Sequence, residues 1–488
     1  MELPPGSIPR SPGGKWREPR VPWGSILILG HFHGHAFVVP RSCQTNDEAN
    51  AAMSTTNDDE YKRKLRTPDE AAALIPDDSF VVFGSAIGQT PALLHAVADR
   101  ASSGDLSRLR ITSLLPMDAC STSIFREDCR SVIQWESLFA SGFDRPLIAE
   151  GAATFIPAFF HQIPRLFTEF MDLDVSMICV SPMDRHGYMS LGTNVDTNKA
   201  AVAAADIVLA EVNPNMPRVH GDSWVHISEV DAIVENETPL FELPPPAKRD
   251  EDDSIGPLIC EMIPNGATIQ LGVGGLPNAV AQSLMNHRDL GIHTEMFVDS
   301  MVDLIEAGVA NGSRKAFHPL KALYAFAAGS RHMYDFLDDN PYIEARPVSY
   351  VNFPPNIARN NDMISVNSTI EIDLTGQCCS ESIGPKQFSG TGGQHDYARG
   401  AFDAPGGKSI IAFYSTARGG EVSRVVPTLQ PGAIVTTPRT EVHWVASEYG
   451  AANLKGLSTR ERAKTLIGLA HPKFREELTH AAKQLRHL

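Results

Sequence analysis

One pattern, a strand followed by a glycine turn and a helix, occurs twice in this chain and limits what it can fold into. Ile75-Pro-Asp-Asp78 leads into the strand-like Phe80-Val-Val-Phe83, the turn Gly84-Ser-Ala-Ile-Gly-Gln-Thr-Pro91 and the apolar-periodic Ala92-Leu-Leu-His-Ala-Val97. Ile263-Pro-Asn-Gly266 leads likewise into Ala267-Thr-Ile-Gln-Leu271, Gly272-Val-Gly-Gly-Leu-Pro277 and a helical run from Asn278. In both copies nine positions separate the isoleucine from the first glycine. Chance recurrence of a common βα unit is the alternative to two related halves.

Between the copies, Thr238 to Pro257 carries Pro244-Pro-Pro246 and the charge run Lys248-Arg-Asp-Glu-Asp-Asp253, the composition of an interdomain linker. Strand-like runs (Val175 to Val180, Ile207 to Val212, Ser409 to Phe413, Ala433 to Thr437) alternate with helical ones such as Asn198 to Ala205. That alternation predicts an α/β fold of two related open domains with mostly parallel sheets. The expected division is an N-terminal extension over 1–58, an α/β domain over 59–237, a linker over 238–257 and a second α/β domain over 258–488. In such folds ligands collect at the carboxyl ends of the strands, where both glycine turns lie.

Residues 1–52 hold seven prolines and six glycines with little periodicity and read as a poorly ordered extension. One reading starts translation at Met53. His31, His33 and His35 alternate as three ligands on one strand face would, but no acidic or cysteine cluster stands near them, so a surface tail is favoured and no metal is expected. The net charge of −16, from 58 acidic and 42 basic residues, argues against nucleic acid and anionic membranes as partners. Seven cysteines form no C-x-x-C pair, which fits a reduced, cytoplasmic setting. No apolar run reaches the roughly 18 residues of a membrane span.

Gly272-Val-Gly-Gly lacks the spacing of a dinucleotide fingerprint and no Gly-Lys-Ser/Thr follows it, so it is a tight turn or a ligand loop of another kind. Ser389-Gly-Thr-Gly-Gly-Gln-His-Asp396 is a second glycine cluster. Backbone N–H groups in such loops can meet a phosphate or an oxyanion. Asn367 and Gln394 offer amide donors for an oxyanion, or are ordinary turn and capping residues. Glu295, in Gly291-Ile-His-Thr-Glu-Met-Phe-Val-Asp299, follows the second βα unit and is a candidate carboxylate nucleophile. Cys378 and Cys379 read as small buried residues, His443 and His471 as structural.

These segments, with Ile163-Pro-Arg-Leu-Phe167, His293-Thr-Glu-Met-Phe297, Val366-Asn-Ser368, Glu381-Ser-Ile-Gly384 and Glu448-Tyr-Gly450, occur in an order that resembles the acetyl-CoA hydrolase/transferase family. The resemblance runs from about residue 60 to the C-terminus and is strongest to the branch with 4-hydroxybutyrate and butyryl-CoA:acetate CoA-transferases. It implies a CoA-transferase fold of the NagB/RpiA type, with Glu295 catalytic through an acyl-glutamyl anhydride and a glutamyl-CoA thioester. It also implies that Gly272, Val273, Gly274, Gly275, Leu276, Ile370, Gly390, Gly392 and Gly393 contact CoA or the thioester. Coenzyme A is then a substrate, no cofactor is bound permanently, and the partners are acyl-CoA and short-chain carboxylates; apart from the resemblance, a homo-oligomer, taken as a homodimer, is expected. A hydrolase of the same family, or a non-catalytic acyl-CoA-binding protein, are the competing readings. Phe143 after Ser141-Gly142, Cys378-Cys379, and Ala404-Pro405 ahead of Gly406-Gly-Lys408 depart from the family pattern and bear on acyl selectivity and one CoA contact.

Overall fold

Seven strands form the first sheet: β1 (Ser79–Phe83), β2 (Leu109–Leu114), β3 (Ile133–Phe139), β4 (Ala153–Phe155), β5 (Val175–Val180), β6 (Ile207–Val212) and β7 (Ala232–Glu235). The computed structural model that shows them describes residues 56–244, 247–272 and 274–488, all within one compact unit. The extension, the Met53 start, Val273 and the His31, His33 and His35 expectation lie outside the described residues. The sheet order is β4-β3-β2-β1-β5-β6-β7, and every pairing is parallel. Each residue of β1 and β5 is buried, as expected of strands covered by helices on both faces. From β1 the chain builds outward to β4, then returns to β5 on the other side. This makes the carboxyl end of β1 a topological switch point, and the Gly84 turn leaves from it.

The second sheet repeats that logic with β8 (Thr268–Leu271), β9 (Gly291–Ile292), β10 (Met363–Ser368), β11 (Lys408–Ala412), β12 (Trp444–Ser447) and β13 (Gly450–Asn453). Its order is β9-β8-β10-β11-β12-β13, parallel except for the final hairpin. Here β8 has the switch point, and Gly272 follows it. The strands that open the two sequence repeats thus hold equivalent places in their sheets.

A continuous apolar core joins the halves, running from Phe80 and Phe160 to Phe326 and Ile364. Phe160 meets Phe326 edge to face at 6.0 Å, and the Tyr324 hydroxyl donates to the Gly192 carbonyl at 3.0 Å.

Three expectations need correction. Ala433 to Thr437 is not a strand: Ile434 and Val435 are exposed, and Thr437 makes one isolated bridge to Cys378. Pro431-Gly432 before the run and Pro438 after it restrict the backbone, and a proline has no N–H to give a ladder. The end of the proline-rich stretch is not linker but the helix Asp252–Cys260, because the Asp252 carboxylate accepts the Arg249 N–H at 2.8 Å at the helix entry. This helix packs on Gly275–Ser283 so closely that a Cβ on Gly256 would stand 2.8 Å from the Ser283 Oγ. That second helix, in turn, begins at Gly275 rather than Asn278, since Pro277 suits a first turn whose N–H groups have no helical partner.

Candidate active site

Glu295 sits on a bend between β9 and the short strand Met296–Phe297, which pairs in parallel with Phe326–Ala327. Its carbonyl accepts the N–H groups of Ala325 at 3.0 Å and Phe326 at 3.1 Å, so the backbone under the side chain is fixed. The carboxylate Oε2 accepts a hydrogen bond from Asn352 Nδ2 at 2.6 Å. Asn352 follows the short helix Val348–Val351, and this helix is tied to the Glu295 segment by His293. The buried imidazole donates from Nε2 to the Val351 carbonyl at 2.8 Å, and its Nδ1 faces the Asn360 amide at 3.0 Å. Burial, with Lys315 nearby, pushes the His293 pKa down to about 3, which keeps the ring neutral and in the tautomer this pair of contacts requires.

Above the carboxylate lies the second glycine cluster. A Cβ on Gly393 would stand 1.7 Å from Glu295 Oε2 and 2.3 Å from Asn352 Nδ2, so only glycine fits there. On its other side the loop presses on the first half. A Cβ on Gly390 would lie 2.8 Å from the Phe139 ring, and the Gly392 carbonyl accepts the Phe160 N–H at 3.3 Å. Gly393 then precedes the helix Gln394–Asp403. Bare backbone is thus sandwiched between Phe139 of one half and Glu295 of the other.

Burial is the main force on the Glu295 carboxyl and pushes its pKa up to about 8. The Asn352 hydrogen bond and the Gly393 N–H oppose the shift, while the carboxyls of Asp396 and Asp196 add to it. Asp196 is itself buried and raised to about 6, and it accepts a short hydrogen bond from Ser85 in the glycine turn after β1. The equivalent turn of the first half therefore reaches the same electrostatic neighbourhood. A carboxylate made this basic is a stronger nucleophile once ionised.

The remaining predicted residues fall into two groups. Gly272 follows β8, and Glu295 lies shortly past the adjacent strand β9. The Gly272 N–H donates to the Val366 carbonyl at 2.8 Å, and a Cβ there would stand 3.2 Å from Asn367 Oδ1. Gly274, with φ of 120°, has open space where a Cβ would be, and Gly275 and the buried Leu276 begin the helix behind it. The other group turns elsewhere. Asn367 and Gln270 exchange amide hydrogen bonds of 3.1 and 3.2 Å, Gln394 Nε2 donates to Thr437 Oγ1 at 3.1 Å, and the Ile370 N–H goes to the Cys379 carbonyl at 3.0 Å. Cys378 and Cys379 are fully buried. Sequence reasoning missed Asn352, which carries the amide that meets Glu295, as well as Asp196 and Asp396. The nearest signal was the Asp at the end of the Gly390 cluster, three residues after Gly393.

A two-half α/β chain with a basic, backbone-covered glutamate at the second switch point defines a class, and comparison with known proteins names it. The N-terminal domain of the acetyl-CoA hydrolase/transferase family matches residues 49–242, and its C-terminal domain matches 329–482. The chain belongs to this family. It is 42% identical to the succinyl-CoA:cyclohexane-1-carboxylate CoA transferase of Geobacter metallireducens, across 88% of this chain and 97% of that one. It is 44% identical to the 4-hydroxybutyrate coenzyme A transferase of Clostridium kluyveri, across 87% of this chain and 98% of that one. Among solved structures, RipA from Yersinia pestis superposes with a TM-score of 0.84 at 43% identity, covering 88% of this chain and 100% of that one. Glu295 lies between the two matched segments. No helix among the described residues is long and apolar enough to cross a membrane, and no group of three or more His, Cys, Asp or Glu among them could hold a metal ion.

Proposed function

We propose that the chain transfers coenzyme A between a short-chain acyl-CoA (acetyl, butyryl or 4-hydroxybutyryl) and a carboxylate acceptor such as acetate. The observation that carries the proposal is Glu295, raised to about 8 by burial, hydrogen-bonded by Asn352 and covered by the Gly393 backbone. Ionised Glu295 attacks the thioester carbonyl; the C–S bond breaks, leaving an acyl-glutamyl anhydride and CoA thiolate. The thiolate attacks the glutamyl carbonyl, expelling the acyl group as its carboxylate and leaving a glutamyl-CoA thioester. An incoming carboxylate runs the same two steps in reverse and departs as its CoA ester, so no proton is consumed.

Each attack builds an oxyanion, and a fixed donor aimed at one contributes about 3 kcal/mol. Asn352 Nδ2 and the backbone N–H groups of the Gly390 to Gly393 loop supply such donors beside Glu295. Gly274 to Leu276 supply them from the β8 switch point, whereas the N–H groups of Gly272 and Ile370 already bond the Val366 and Cys379 carbonyls, so these two contact CoA without donating. Gln394 and Asn367 act through Thr437 and Gln270 in holding these loops. A homodimer in the cytoplasm, with no cofactor besides coenzyme A itself, completes the reading.

The test is mass spectrometry of the intact protein after incubation with acetyl-CoA. A CoA adduct on a peptide containing Glu295, absent in Glu295→Ala, is the expected result. An active alanine variant overturns the assignment of Glu295, and release of free CoA without any acceptor marks a hydrolase instead.

A further inference from the structure

Asp396 spends both carboxylate oxygens on one residue of the other half. Its Oδ1 lies 2.7 Å from His161 Nδ1, and its Oδ2 accepts the His161 backbone N–H at 3.2 Å. The carboxylate has no solvent exposure, whereas the His161 side chain keeps 18%. A carboxylate can only accept, so the imidazole proton stands on Nδ1, and Nε2 has no hydrogen-bond partner among the described residues.

The ring is walled by aromatic groups, with the Phe353 centroid at 6.2 Å and that of Phe159 at 6.3 Å, and Phe159 also stacks on His395 at 4.6 Å. Phe353 is the residue after Asn352, and Asp396 lies three residues after Gly393. Both groups that hold the Glu295 carboxylate therefore continue directly into the walls around His161. A single fixed polar atom among aromatic groups can orient a small ligand.

We propose that His161, held by Asp396, is a specificity-determining residue whose Nε2 hydrogen-bonds a hydroxyl on the acyl chain. This rests on the CoA-transfer reading of Glu295 and names the acids it favours, short-chain hydroxy acids over plain ones. A distal carboxylate fits less well. Glu295, Asp396 and Asp196 already share the neighbourhood, and among the described residues no lysine or arginine is hydrogen-bonded to any of them. A hydroxyl adds no charge and offers the donor that a bare Nε2 accepts.

The experiment measures kcat/KM for 4-hydroxybutyrate and for butyrate as acceptors from acetyl-CoA, in the full chain and in His161→Phe and His161→Leu. The ratio of hydroxy to plain acid falls about tenfold or more in both variants, the worth of one hydrogen bond in a site built for it. A ratio that stays within about twofold of the parent's, even with both rates lowered, overturns the proposal and leaves the His161–Asp396 pair as a tie between halves. Having two replacements keeps the test valid where one fails to fold. Glu295→Ala, run alongside, separates the two readings, because transfer that survives it defeats the CoA-transfer reading itself. Transfer that depends on Glu295 with an unchanged ratio defeats only the role of His161.

Discussion

Replacing Gly393 with alanine is the sharpest probe of the site, because the space for a methyl group there is already filled. The new Cβ would stand 1.7 Å from Glu295 Oε2, 2.3 Å from Asn352 Nδ2 and 2.9 Å from Glu295 Cδ. Real Cβ atoms do not approach other heavy atoms closer than 3.0 Å, so the carboxylate must withdraw by at least 1.3 Å or the loop must lift by as much. A displacement of about 1 Å at a reacting centre can cost on the order of 10²-fold in rate, and here the same atom also clashes with Asn352. The expected outcome is a loss of at least about 100-fold in kcat for transfer from acetyl-CoA to butyrate, with little CoA adduct formed. Thermal melting and circular dichroism show whether the fold survives. Gly468→Ala is the control: nothing lies within 4 Å of its Cβ, and in the helix Thr459–Leu469 alanine gains about 0.5–1 kcal/mol over glycine. A Gly393→Ala enzyme that keeps near-parental turnover would refute the placement of this loop against Glu295.

Three further outcomes are expected. Because the folded state raises the Glu295 pKa from 4.5 to about 8, its neutral form favours the fold, and stability that is full below about pH 4.5 is lost as pH rises toward 8. Glu295→Gln, which stays neutral, should therefore melt higher relative to the parent at pH 8.5 than at pH 5; a pH-independent difference in Tm refutes the burial of this charge. Asn352→Ala removes a donor that lowers the Glu295 pKa, so kcat should fall roughly 10- to 100-fold and the rising limb of the pH–rate profile should move to higher pH. An unmoved limb argues that the amide does not touch the ionising group. His293→Leu strands the Val351 carbonyl and frees the segment carrying Asn352, so urea unfolding should show a loss of about 1–3 kcal/mol together with reduced transfer.

The strand and helix pattern was legible because it is local. The two isoleucine-to-glycine units did land at equivalent switch points, and the runs Val175 to Val180 and Ile207 to Val212 are strands over those same residues. Glu295 and the Gly390 to Gly393 loop were legible from motif chemistry and resemblance, and the fold puts Gly392 and Gly393 against the carboxylate. Asn352 was not, because its contact with Glu295 joins positions 57 residues apart, and nothing about an asparagine before Phe353-Pro-Pro distinguishes it from a turn residue. The His161–Asp396 pair spans 235 residues and both halves, beyond any periodicity. Gln394 looked like a donor for the site because it follows Gly393, yet as the first residue of a helix its side chain swings to Thr437. Ala433 to Thr437 misled through composition, since a run closed in by prolines pairs with a neighbouring strand's backbone only at its end, where Thr436 and Thr437 meet Cys378.

The loop pressed between Phe139 and Glu295 also divides labour across the chain. At Gly392 and Gly393 its surface over the Glu295 carboxylate is main chain, with no side chain to vary in size. Phe139, Phe159 and His161, on a strand end and a turn of the first half, meet that surface and the helix after it with side chains that differ in bulk and polarity. Under the CoA-transfer reading proposed above, variation in the acids accepted enters through the first half, and it is compatible with Glu295 only where the Gly390 to Gly393 backbone keeps its place.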